Sequence, residues 1–63
     1  MDIKKVNATV KIKIAYDKLV KQFGTAGYNY ARADKLRELA GDIIRLKESM
    51  TTDEFNEYNR RVS

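Results

Sequence analysis

A chain of 63 residues with a formal net charge of +4 and no cysteine, histidine or proline makes one small domain, with little net stability to come from its core. The missing cysteine and histidine exclude a disulfide framework and Cys/His zinc sites, and remove the thiolate nucleophile and the commonest general base. No apolar run approaches the roughly 20 residues that cross a bilayer, and no apolar signal core follows Met1-Asp2-Ile3-Lys4-Lys5-Val6. Composition therefore predicts a cytoplasmic protein without a membrane segment.

The charge is unevenly placed. Residues 1–27 carry six lysines against Asp2 and Asp17, whereas residues 28–63 carry equal numbers of basic and acidic residues. The whole excess lies in the first segment, which suits an anionic partner there and also ordinary solubility.

Residues 5–14, Lys-Val-Asn-Ala-Thr-Val-Lys-Ile-Lys-Ile, alternate polar and apolar. As a strand they would place Val6, Ala8, Val10, Ile12 and Ile14 on one face, with Lys5, Asn7, Thr9, Lys11 and Lys13 on the other. No second segment has strand character, and a lone strand leaves its backbone groups unpaired. The same region also reads as a helix, because Ile12, Tyr16, Leu19 and Phe23 step by four, three and four. That helix would start near Asn7 or Thr9 and end at Phe23, with Gly24 just beyond it. It buries Ile12, Ala15, Tyr16, Leu19 and Phe23 and leaves Ile3, Val10 and Ile14 as a second apolar stripe among lysines. Residues 5–14 are thus either the start of helix one or a lone N-terminal β-strand, and each reading leaves a surface for a contact outside the chain.

Gly24-Thr25-Ala26-Gly27 reads as the one clear loop, over residues 24–29, after a basic segment 1–23. A second helix is expected from about Ala31 to Glu48, with Ala33, Leu36, Leu39, Ala40, Ile43, Ile44, Leu46 and Met50 on its apolar arc. Asp34–Arg37 and Asp42–Arg45 have the i, i+3 spacing of ion pairs. Gly41 interrupts this helix and would permit close approach of another backbone. The third helix, about 52–61, announces its start: Thr51 is the N-cap, Glu54 completes a capping box, and Met50 and Phe55 occupy the positions of a hydrophobic staple. Its narrow stripe of Phe55, Tyr58 and Val62 is expected to pack on helix two. The sum is a mainly α, small three-helix domain spanning residues 1–63.

Candidate chemistry is sparse. Ser49 and Ser63 have no neighbouring base, and the loop glycines lack the lysine and spacing of a phosphate-binding loop. Asp34, Glu38 and Asp42 share one flank of helix two and could gather a hard cation. Arg37 and Arg45 interleave with them, however, so a solvated, neutralised edge is the simpler account. No cofactor, metal or small-molecule substrate is expected.

The basic segment is the sharper feature. Its order of strand, helix, loop and longer helix resembles the ribbon-helix-helix repressors over about two-thirds of the chain. The resemblance implies a homodimer whose paired strands enter the DNA major groove. Thr9, Lys11 and Lys13 would then face the bases, and Asn29, Tyr30 and Arg32 at the start of helix two would meet phosphate. Tyr28-Asn29-Tyr30 is the other unusual feature, since rings beside a loop favour binding surfaces when they are not plugging the end of a bundle. The leading expectation is a non-enzymatic regulator, of the kind a bacteriophage inhibitor or adaptor would be, that occupies the surface of a protein partner. Val10, Lys11, Lys13, Ile14, Tyr28 and Tyr30 would make that contact. The alternative is the DNA-binding repressor.

Overall fold

A computed structural model describes all residues 1–63. They form three helices, α1 over Ile3–Ala26, α2 over Tyr30–Glu48 and α3 over Thr52–Val62.

The alternating segment is helical throughout, so the lone-strand reading is overturned. A helix satisfies its backbone bonds within itself, and the chain offers no second strand to complete a ladder. Strand-like alternation also fails to describe which side chains are covered: Val6 and Thr9 are buried, while Ala8 and Ile14 are exposed. The helix starts earlier than Asn7 or Thr9 because Asp2 caps it, its carboxylate accepting the Lys5 N–H at 3.2 Å. It also runs through Gly24 and stops at Gly27, whose N–H donates to the Phe23 carbonyl at 3.2 Å. Gly27 has φ 78° and ψ −171°, a region open essentially only to glycine. The loop therefore shrinks from residues 24–29 to 27–29, and Asn29 begins α2 by accepting the Arg32 N–H at 3.1 Å.

Helices α1 and α2 form a long hairpin, and α3 lies on the N-terminal half of α1. Against the expected packing of α3 on α2, the backbone of α3 lies chiefly against α1, and α2 meets it through side chains, Lys47 reaching over the Phe55 and Tyr58 rings. The reason is the junction where three helix ends meet. Glu54, 3% exposed, accepts the Thr51 N–H at 2.8 Å through Oε1 and the Asp2 N–H at 2.5 Å through Oε2. One carboxylate thus serves the positive ends of both α3 and α1. Lys5 donates to the Ser49 carbonyl at the C-terminal end of α2 at 2.9 Å, with Glu54 3.7 Å away. The Thr51 hydroxyl accepts the Glu54 N–H at 3.2 Å, completing the capping box that the sequence announces. Farther along, Arg61 of α3 donates to the Asn7 side chain of α1.

The core is small. Val6, Leu39, Ile43 and Tyr58 are its buried apolar side chains, joined by Thr9, whose hydroxyl turns back to the Lys5 carbonyl at 2.7 Å. Between Thr9 and Leu39 no residue is buried. Ile12, Tyr16, Leu19 and Phe23 are half-buried in the hairpin, as their spacing predicts, but Ala15 is exposed. The molecule is elongated, 38 × 19 × 14 Å with a radius of gyration of 12.8 Å, against about 10.6 Å for a compact chain of this length. Gly41 permits no close backbone approach: a Cβ there would meet only the Arg45 guanidinium, at 3.4 Å.

Candidate functional site

Three surfaces stand out: the solvent face of α1, a cleft between α2 and α3, and the tip of the hairpin.

At about 100° per residue, Lys4, Lys11, Lys18 and Lys21 fall within an arc of about 100° on α1. All four are exposed and none forms an ion pair. Elsewhere acids and bases largely neutralise each other. Asp34 pairs with Arg37 at 3.9 Å, Lys35 with Glu38 at 3.6 Å, and Asp42 with Arg45. On α3, Glu57 takes both Arg60 and Arg61, and these guanidiniums hold its carboxyl down to about 2. Four of the basic residues without an ion pair thus share one helical face, while the other two, Arg32 and Lys47, lie apart on α2. Ile14, 61% exposed, sits in the same arc. Beside it is a shallow depression of about 320 Å³ bounded by Ile14, Asp17, Lys18 and Lys21.

The cleft is roofless because α2 and α3 stand apart on the two flanks of α1. Tyr16 and Lys13 of α1, Ala40, Ile43, Ile44 and Lys47 of α2, and Tyr58 of α3 enclose about 210 Å³. A lysine guards each side. Lys13 lies 5.3 Å from the Tyr16 ring centre and donates to Asp17 at 2.7 Å, which raises its pKa. Lys47 lies 5.5 Å from the ring centres of both Phe55 and Tyr58. Burial pushes the Tyr58 hydroxyl above its ordinary pKa.

At the tip, Tyr28 and Tyr30 are 75% and 70% exposed, and Tyr28 leans on Phe23 with ring centres 6.2 Å apart. Neither ring plugs the end of the bundle. Comparison of the chain with protein-family models, curated proteins and solved structures finds no match.

Several expected site residues take other places. Thr9 cannot face a DNA groove: it is fully buried, its hydroxyl spent on the Lys5 carbonyl. Lys13 belongs to the cleft and Val10 is half-buried at the margin of the exposed face, so of the site residues expected within 5–14 only Lys11 and Ile14 share that face. Asn29 and Arg32 hold the loop. Asn29 caps α2, and the Arg32 guanidinium donates to the Gly27 carbonyl at 3.3 Å. Tyr28 and Tyr30 follow the end of α1, which lies about 18 Å along the axis from Ile14, so the structure does not gather the expected residues into one site. The sequence reading set Lys18 and Lys21 beside the exposed stripe of Ile14 but did not join them, or Lys4, to Lys11, although Lys4, Lys11 and Lys18 repeat every seven residues. Starting the helix at Ile3 makes that repeat readable. It also missed the cleft, which depends on α3 choosing α1.

Proposed function

We propose that this chain is a non-enzymatic binding protein that works by covering part of a protein partner. The observation that carries the reading is the imbalance of its apolar side chains: four are buried, while eight large ones, among them Ile14, Ile44, Tyr28 and Tyr30, are exposed. A chain that buries so little gains stability and specificity by lending its apolar side chains to another surface. Helix docking is the mode available, since the exposed residues lie on helices and at a helix hairpin. A regulator, inhibitor or adaptor role fits such a module.

The four unpaired lysines favour a second reading, contact with the phosphates of DNA. It would run along α1, because a paired-strand ribbon has no strand to build on.

Site-specific photo-crosslinking separates the two readings. A photoreactive phenylalanine at Ile14 or at Ile44, in the cells that make the protein, should give a discrete adduct that survives nuclease and is removed by protease. An adduct digested by nuclease, or none at either position, contradicts the protein-binding reading.

A further inference from the structure

The solvent face of α1 carries two features that belong together: a row of lysines without ion pairs and, within it, one exposed apolar side chain, Ile14. Lys4, Lys11 and Lys18 are seven residues apart, so their Cα atoms stand about 10.5 Å apart along one side of the helix, and Lys21 continues the row to about 25 Å. The depression beside Ile14 lies inside this row, with Lys18 and Lys21 on its rim. None of the four lysines is committed to an ion pair within the chain.

We infer that this face docks an acidic amphipathic helix of a protein partner, one presenting carboxylates at seven-residue intervals and an apolar side chain that seats beside Ile14. The inference rests on the protein-binding reading and names the partner's chemistry. Charge complementarity decides the sign of the partner. The spacing decides its form, because two helices lying side by side keep a seven-residue repeat in register over several turns. Ile14 decides between protein and nucleic acid, since a bare isoleucine in the middle of the row gains nothing from a phosphate backbone and buries well against a leucine. Asp17 borders the depression but is engaged by Lys13 at 2.7 Å, so it presents a partly neutralised edge rather than a competing charge.

The test uses the full chain and a designed helical peptide of about 20 residues, long enough to cover the row, with Glu every seventh position and Leu on the same face. Binding is read by fluorescence anisotropy, with a DNA duplex of similar length as the competing probe. The peptide should bind more tightly than the duplex, and its affinity should fall as salt rises from about 50 to about 300 mM. Lys11→Glu with Lys18→Glu should weaken peptide binding about tenfold or more, and Ile14→Asp should also weaken it. A peptide with Lys in place of Glu should bind that double variant better than it binds the parent, which also shows that the variant is folded. Absence of peptide binding, a duplex that binds more tightly, or affinity unchanged by the double variant overturns the inference. The crosslinking result separates this failure from that of the broader reading: a protein adduct without peptide binding leaves the protein-binding function standing and removes only the acidic-helix partner.

Discussion

The two ends of this molecule are built on opposite plans. At one end the N-termini of α1 and α3 and the C-terminus of α2 converge, and the six buried residues lie there or on the adjoining halves of the helices: Val6 and Thr9 on α1, Leu39 and Ile43 from the middle of α2 onward, Glu54 and Tyr58 on α3. At the other, the hairpin from about residue 17 to residue 36 contains no buried residue, and its tip exposes Tyr28 and Tyr30. The first end is held by tertiary packing and by a carboxylate shared between two helix starts. The second is held by half-buried side chains such as Leu19, Phe23 and Leu36 and by caps, Gly27 for α1 and Asn29 for α2. A small chain thus concentrates its cohesion at one end, while the lysine row runs along the exposed side of α1 past both ends, from Lys4 beside the packed junction to Lys21 in the hairpin.

The packed end is the more sensitive to substitution. Tyr58 is 2% exposed and is the only buried apolar side chain that α3 contributes. Tyr58→Ala is expected to cost about 3 kcal/mol, a large part of what so short a chain has. Urea titration followed by far-UV circular dichroism should show most of the folded baseline lost. A midpoint close to the parent's would mean that α3 is not part of the cohesive end.

Acid should attack the same end. The backbone amides of Thr51 and Asp2, with Lys5 nearby, hold the Glu54 carboxyl down to about 2, and Arg60 and Arg61 do the same for Glu57. Both values lie below the ordinary 4.5, so the unfolded chain takes up protons first. The stabilisation is fully present above about pH 5 and is lost as pH falls from about 4.5 towards 2. Thermal midpoints should therefore be level from pH 7 to about 5 and decline below. Glu54→Gln should lower the plateau and flatten that decline; an unchanged profile would show that the shared carboxylate contributes little.

The weak end should respond less, and through its backbone rather than its rings. Gly27→Ala forces a side chain into a glycine conformation and should cost about 1–3 kcal/mol, read as a shift in urea midpoint. Tyr28→Ala together with Tyr30→Ala should change stability by no more than about 0.5 kcal/mol. A larger loss from the tyrosine pair than from Gly27→Ala would give the tip a structural role and remove it from the exposed binding surface.

Much of this architecture was legible in the sequence, and where it was not, the reason is physical. The capping box of Thr51 and Glu54 is a local pattern and appears as read. So do the body of α2, whose apolar arc spans several turns, and the i, i+3 pairs Asp34–Arg37 and Asp42–Arg45. The start of α1 was obscured because period-two alternation over ten residues overlaps the helical period that follows it. Asp2, the actual cap, stands apart from the apolar residues that define that helix. The close approach of α3 to α1 was not legible, because it joins distant residues: Glu54 accepts from the Asp2 amide 52 positions away. The candidate site divides the same way. Lys11 and Ile14 could be read as exposed companions, but Thr9 and Lys13 change roles once the segment winds into a helix.

Amide hydrogen exchange, resolved by residue on the unmodified protein at neutral pH, distinguishes a molecule held mainly at one end from one held evenly along its length. Protection should be strongest around residues 6–13, 39–46 and 54–59 and should fall steadily towards residues 20–33, where exchange needs only local opening of the hairpin. Uniform protection along α1, or protection strongest at the tip, would contradict the first of these.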